Sequence, residues 1–547
     1  MKIDAGDGMQ ARGFILQATY RIQSGIPVVH LYGRLDNGQT FLIRDTRQRP
    51  HFYIATADAQ RAAALGIVSH PAGKQTFAGA PVQRIDVAVP GDAPGVRERL
   101  HAAGIDTLEA DVRFAVRYLI DRGIRGSLAI DGPATRGDGV TWVFENPELA
   151  PADVDVAPTL LSFDIETDPE AQRLLAISLY GREIDEVFIV DPQARAMPAN
   201  ATGLADERAV IDAFCQRVNK LDPDVLTGWN IVDFDLSVLA RIAKRVRHPF
   251  ELGRDIGALR IRPAQGYFGS GNASIPGRLV LDGIDLLRGA FVKFDDYSLD
   301  AVAQEVLGEG KALAGDAADR AGEILQRYND DLPGFARYAR TDARLAFDIV
   351  DQLQLVPLAV ARSKLTGLTP DRVAASIASF DFMYLTALAQ RDVVAPSVRS
   401  GDARVSASQA GGHVLEPVTG VHDNVWVFDF KSLYPAIIRT FNIDPLGFRS
   451  TGHADLIEMP GGAWFLREPA ILPGALDQLF PQREAAKKAG DHVASQAIKI
   501  LMNSFYGVLG TPACRFHNPA IANAITGQGK QLLQWSQAWF ENTGFDV

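Results

Sequence analysis

Apolar and polar positions follow a strand-like period over the first 155 residues and a mixed one thereafter. Residues 14–20 and 27–32 read as strands, and Asp36-Asn37-Gly38 is a hairpin signal ahead of a further strand at 40–43. From about 156 to 355 strands give way to helices, an α/β or α+β pattern. Residues 160–163, 174–179 and 186–190 predict three successive strands, and 207–219 and 235–247 predict helices. The Ala/Gly/Asp-rich stretches 191–206 and 308–318 read as loops, and the Ser/Gly/Pro-rich stretch 395–420 as an inter-domain connection. Val425-Trp426-Val427-Phe428 predicts a buried strand that ends on Asp429. A mostly loop-like stretch and a long helical tract over about 479–506 follow. No internal repeat or low-complexity tract interrupts the chain.

Composition adds limits rather than detail. A length of 547 residues predicts three to four domains, and 47% hydrophobic with 22% charged residues is the balance of a soluble globular protein. No apolar run approaches the ~20 residues that span a bilayer. The first residues, Met1-Lys2-Ile3-Asp4-Ala5-Gly6-Asp7, lack the apolar core of a signal peptide, which predicts a cytoplasmic protein with no membrane partner. Cys215 and Cys514 give neither a disulfide framework nor metal-ligand spacing. The net charge of −11 does not exclude nucleic acid, because phosphate binding depends on local basic patches.

Chemistry enters with the carboxylates of the middle third. In Phe163-Asp164-Ile165-Glu166, strand alternation sends Asp164 and Glu166 to one face and the two apolar side chains to the other. Two adjacent anions repel, and a divalent cation would turn that repulsion into coordination; a solvated strand end is the plain alternative. Asn230-Ile231-Val232-Asp233-Phe234-Asp235 opens a helix, with Asp235 either a functional carboxylate or a cap. Tyr338 and Asp342 stand four apart on a predicted helix, hence on one face. The order Asp-x-Glu, Asn-x3-Phe-Asp, Tyr-x3-Asp is far more specific than any piece. It suits two-metal phosphodiester hydrolysis, with two divalent ions about 4 Å apart held by Asp164, Glu166, Asp235 and Asp342. Tyr338 would orient the attacking water. Oxygen ligands and a phosphate substrate favour Mg2+ or Mn2+ over zinc.

The last third offers a second constellation. A carboxylate closing a buried strand, Asp429, should be costly unless a positive group meets it. Ser432 to Ile438 then turns the chain and presents a hydroxyl, N–H groups and a ring beside that carboxylate, though Asp429 as an ordinary helix cap is also open. Lys499, Asn503 and Tyr506 with Gly507 fall on one helical stripe, and Arg483 and Lys487 are four apart upstream.

These motifs together resemble the family B DNA polymerases. The resemblance is strongest at 160–168, 228–235, 336–344, 426–446 and 498–517, and weakest over the first 150 residues. It implies a multidomain α/β (α+β) protein with a β-rich N-terminal domain, a ribonuclease H-like 3′→5′ exonuclease domain, and a partial palm with helical fingers. The expected boundaries are 1–155 for the N-terminal domain, 156–355 for the exonuclease, 356–420 for a connection, 421–478 for the palm, 479–512 for the fingers and 513–547 for further palm. By the resemblance Asp429 and the Phe430 carbonyl meet the metals, while Leu433 and Tyr434 offer N–H groups to a dNTP. Tyr434 is also the expected steric gate against a 2′-hydroxyl. Arg483, Lys487 and Lys499 would bind the triphosphate, with Asn503 beside them and Tyr506 lining the base-pair pocket. The implied partners are a DNA primer-template, a single-stranded 3′ end and, through a C-terminal peptide absent here, a sliding clamp. The implied setting is bacterial repair or replication at the nucleoid.

Two departures qualify the resemblance. Gln409-Ala410-Gly411-Gly412 stands where many relatives carry Tyr-x-Gly-Gly, and no Asp-Thr-Asp occurs in the 547 residues. Asp429 alone cannot assemble a two-metal site, so the expectation is a C-terminally truncated chain, deficient as a polymerase and complete as an exonuclease. The alternatives are a free-standing 3′→5′ exonuclease and a catalytically silent DNA-binding relative.

Overall fold

A computed structural model describes residues 8–262, 271–310, 317–398, 419–468 and 470–547. The stretch 409–412 lies outside them. The chain divides into two compact units.

The first unit comprises Met1–Ser24, Val28–Gln48 and Ile124–Ala374. Its N-terminal sheet runs in the order Gly8–Gln23, Ile26–Leu35, Thr40–Asp45, Trp142–Glu145, Ser127–Arg136, Glu148–Pro151. The first of these strands also pairs with Ser127–Arg136, so the sheet closes on itself. The hairpin expected at Asp36-Asn37-Gly38 is there, with Gly38 at φ 82°.

The second sheet of this unit carries the carboxylates. Its strands are β1 (Leu160–Thr167), β2 (Leu174–Gly181), β3 (Ile184–Val190), β4 (Ala201–Leu204), β5 (Val225–Gly228) and β6 (Leu279–Asp282), in the order β4-β3-β2-β1-β5-β6. β1, β2 and β3 form an antiparallel meander, whereas β5 and β6 join β1 in parallel. β4 is a correction to the loop expected over 191–206: Ala201–Leu204 pairs in parallel with β3. A short polar segment carries little strand signal, and only the edge of β3 makes it one.

Helices cover both faces. Phe163 and Ile165 of β1 share a core with Phe214 and Val218 of α1 (Glu207–Leu221) and Leu236 and Leu239 of α2 (Asp235–Arg245). On the opposite face Leu175 and Ala176 pack with Phe335, Ala336 and Ala339 of α4 (Leu332–Gln352); α3 (Gly283–Gly289) follows β6. Since Glu166 lies opposite Ala176 in the ladder, the acidic face of β1 is the face that α4 covers.

The second unit comprises Gly25–Pro27, Arg49–Gly123 and Ala375–Val547. It holds a four-stranded sheet in the order His70–Gln75, Pro81–Asp86, His51–Ala55, Thr107–Leu108. Its C-terminal part is helical: α5 (Leu433–Thr440), α6 (Ile471–Lys488), α7 (His492–Leu509) and α8 (Pro519–Asn542). Arg515 binds the two parts of this unit internally, with ion pairs to Asp111 and Asp381 at 2.7 and 2.5 Å. The single helical tract expected over 479–506 is two helices, broken where Gly490 takes φ 72°. The stretch between α5 and α6 is not wholly loop: Phe448–Arg449, Ala463–Phe465 and Ile457–Met459 make a small sheet.

The buried strand expected at Val425-Trp426-Val427-Phe428 is corrected outright. No strand among the described residues pairs with it, and Trp426 is 79% exposed. Apolar, β-branched and aromatic residues favour a strand only where a neighbour supplies the ladder. Phe428 stacks instead on Phe540 of α8, with centroids 5.4 Å apart. Residues 544–547 are exposed and not in a strand.

Candidate exonuclease and nucleotide sites

In the first unit the carboxyl ends of β1, β5 and β6 lie side by side, the place where parallel strands leave a crevice. β1 pairs with β5 only as far as Ser162 with Thr227, so the backbone beyond needs other partners. Asp235 supplies one: its Oδ1 accepts the Ile165 N–H at 3.0 Å. Asp235 is therefore no helix cap. It is the first residue of α2, 1% exposed, and it reaches back to the strand that bears Asp164 and Glu166. The turn that allows this needs Gly228, where a Cβ would collide with Ile231 and the Phe163 carbonyl. Gly228→Ala is expected to cost about 1–3 kcal/mol, read as a lower denaturation midpoint.

Tyr338 and Asp342 lie on α4 and are both buried, together with Glu166. Burial pushes the Asp235 carboxyl up to about 8, with Asp282 and Asp342 adding like-charge repulsion and the Ile165 N–H opposing it. Burial likewise raises Asp282 to about 6, with Asp285 contributing. Asp164, Glu166, Asp235, Tyr338 and Asp342 thus come to one end of one sheet, between β1, α2 and α4. They do not close into a ligand cage: among the described residues no group of three or more His, Cys, Asp or Glu side chains is placed to hold a metal ion. Repulsion among the carboxylates opposes closer approach. The donors are nevertheless all oxygen, and a raised Asp235 is what a divalent cation would relieve, so the residues fit a hard cation.

In the second unit Asp429 is exposed, against the expectation of a buried carboxylate, because the segment before it is exposed as well. Ser432 takes φ 54° and starts α5, so Leu433 and Tyr434 are its first two residues and their N–H groups have no partner within the helix. The Tyr434 ring meets that of Tyr506 on α7, centroids 4.5 Å apart and tilted by 45°. Behind it Gly529 of α8 leaves room, since a Cβ there would stand 3.3 Å from Tyr434 Cε1. Lys499 and Asn503 are exposed on the stripe that carries Tyr506. Lys487 is exposed and shares Glu484 with Lys431, at 3.4 and 3.0 Å. Arg483 Nε has no hydrogen-bond partner among the described residues. Sequence reading missed Asp282 and Asp444. Asp282 ends an apolar strand as Asp164 nearly does, a signal that was legible. Asp444 lies buried, accepting from the Tyr384 hydroxyl at 2.7 Å and from the Leu472 N–H that starts α6, a pairing invisible without the fold.

Comparison with known proteins sets these sites in a class. Residues 374–546 match the family described as DNA polymerase family B, and residues 105–302 its exonuclease domain. The chain belongs to the family B DNA polymerases. DNA polymerase II of Escherichia coli K12 is 38% identical over 463 residues, which is 82% of this chain and 57% of that protein. A DNA polymerase of Thermococcus gorgonarius is 26% identical over 95% of this chain and 67% of its own length. The chain therefore spans a little over half to two thirds of these relatives. The fold is that of the family B DNA polymerase of Pyrobaculum calidifontis, with a TM-score of 0.79 at 24% identity, covering 98% of this chain and 73% of that one. The exonuclease match ends at residue 302, ahead of Tyr338 and Asp342. No helix among the described residues is long and apolar enough to cross a membrane.

Proposed function

We propose that this chain removes nucleotides from the 3′ end of single-stranded DNA, and that within a whole polymerase its second unit binds the incoming dNTP. The observation that carries the first reading is the convergence of Asp164, Glu166, Asp235, Tyr338 and Asp342 at the carboxyl ends of β1 and β5. The four carboxylates would hold Mg2+ or Mn2+, two ions per site, which would supply an activated water and stabilise the leaving 3′ oxygen. Asp164 and Glu166 would face the scissile phosphate from the strand. The Tyr338 hydroxyl, one helical turn from Asp342, would orient the attacking water. Asp235, fixed through the Ile165 N–H, would set the distance between strand and helix ligands.

On the nucleotide side, Asp429 and the Phe430 carbonyl would meet metal. The free N–H groups of Leu433 and Tyr434, with Arg483, Lys487 and Lys499, would neutralise triphosphate; Asn503 lies beside them. Tyr434 and Tyr506 would form the floor under sugar and base. A primer-template is the proposed partner, a sliding clamp a further one in the whole enzyme, and repair or replication in the bacterial cytoplasm the setting. The domain boundaries set out from the sequence belong to the same proposal.

The test is a 5′-labelled single strand with Mg2+. Stepwise shortening from the 3′ end supports the reading, and shortening from the 5′ end or internal cutting overturns it. In a complete enzyme, Tyr434→Ala is expected to raise ribonucleotide incorporation by about 10-fold or more, the effect of one lost steric contact of ~1.4 kcal/mol. Unchanged sugar discrimination would remove Tyr434 from that role.

A further inference from the structure

Phe291, just past α3, is costly by two measures. Its φ of 59° puts a bulky residue in the left-handed region that favours glycine, and its side chain is 60% exposed. Strain of this kind gathers at ligand sites, and so exposed a ring recovers little burial in return. The loop that carries it is drawn back to the exonuclease crevice. There the Trp229 indole N–H, in the turn between β5 and α2, donates to the Tyr297 carbonyl at 2.9 Å. The Tyr297 hydroxyl donates in turn to the Val292 carbonyl at 3.0 Å, which sets Phe291 about one tyrosine side chain from that turn. Phe294 meets the Tyr297 ring edge-on, centroids 5.8 Å apart, and the Arg288 guanidinium lies over the same ring at 5.1 Å. Arg288 and Lys293, before and after Phe291 in the chain, are exposed, and Phe234, the residue before Asp235, is 40% exposed. The acid Asp296 is occupied within the loop by the N–H and hydroxyl of Ser298, each at 2.8 Å. All of these residues belong to the first unit.

We propose that Phe291, in the loop braced by Tyr297 and with Arg288 and Lys293 to either side in the chain, is a stacking platform for a base of the single strand upstream of its 3′ end; this rests on the exonuclease reading. Aromatic faces for bases beside cations for the backbone are what single-strand binding requires, and any base has a face to stack. The Trp229 bond ties the platform to the turn that launches Asp235, so the held base and the carboxylates keep a set spacing. A ring that merely filled space would pack inward at an ordinary φ. This one is held outward at a backbone cost, which glycine in the same place would avoid.

Phe291→Ala should weaken binding of an oligothymidylate by about 10-fold, read by fluorescence anisotropy with Ca2+ in place of Mg2+. A strand of equal length made of abasic sites should bind wild type and variant alike, because its phosphates remain and its bases do not. Phe291→Tyr should keep affinity for the intact strand within about twofold. Phe291→Gly should lose affinity as alanine does, yet its denaturation midpoint should stay within about 2 °C of wild type, relief of the positive φ offsetting the lost ring. Equal loss on intact and abasic strands would overturn the platform. So would wild-type affinity in the alanine and glycine variants, the result expected if the ring meets a protein instead of DNA. A larger fall in the glycine variant's midpoint would make Phe291 a packing residue and overturn the proposal too. If the wild-type chain tells intact from abasic strands through Phe291 but leaves DNA uncut with Mg2+, the exonuclease reading fails and the platform stands.

Discussion

Replacing Asp164 and Glu166 together by alanine is expected to slow 3′-end degradation by about 10³-fold or more, without weakening the fold. Both side chains leave β1 on the face that α4 covers, so one double change removes half of the oxygen donors. Metal-assisted charge stabilisation is worth several kcal/mol, and each 1.36 kcal/mol is tenfold in rate. The fold should not suffer, because the change deletes two like charges beside Asp235 and Asp342 and leaves Phe163 and Ile165 in the core on the other side. The measurement is a single-turnover rate on a labelled single strand, with the denaturation midpoint as companion. Equal degradation by wild type and double variant would end the four-carboxylate assignment.

A second large effect is expected from Asp235→Asn, in the opposite direction for stability. Burial holds the Asp235 carboxyl near 8 in the folded chain, against about 3.9 when unfolded. The folded state therefore keeps a proton that the unfolded state releases over that window. Its stabilising contribution is complete below about pH 4 and is lost as pH rises toward 8. Asparagine removes that slope, and its carbonyl can still accept the Ile165 N–H. With a chelator present, the variant should melt several degrees above wild type at pH 8, with the gap narrowing toward pH 5, since ~1 kcal/mol moves a unit of this size by about 2–4 °C. Added Mg2+ should stabilise wild type and not the variant. An unchanging gap between pH 5 and 8, or a less stable variant at pH 8, would show that this carboxyl does not bear the burial cost.

Legibility from the sequence followed how local each feature is. The face shared by Asp164 and Glu166, and that shared by Tyr338 and Asp342, follow from strand and helix periods and needed no fold. That Asp235 binds β1 rather than capping its own helix could not be read, because its partner is a backbone N–H 70 residues away. Val425 to Phe428 misled for a related reason: strand propensity is conditional on a neighbouring strand. The break at Gly490 was audible in Ala489-Gly490-Asp491, yet the apolar period on either side masked it. Asp282 escaped because an acid at the end of an apolar strand looks like a cap, which it also is.

The tryptophans give the molecule a ready-made optical layout. Of six in the chain, Trp426, Trp535 and Trp539 are exposed and all belong to the second unit. Trp229 sits in the turn beside Asp282, its indole N–H on the Tyr297 carbonyl at 2.9 Å. Iodide or acrylamide will therefore quench the red-edge emission of the second unit first. What survives is weighted toward Trp142, Trp229 and Trp464, and the change in it when Mg2+ or Mn2+ is added reports the turn that launches Asp235, with no label attached.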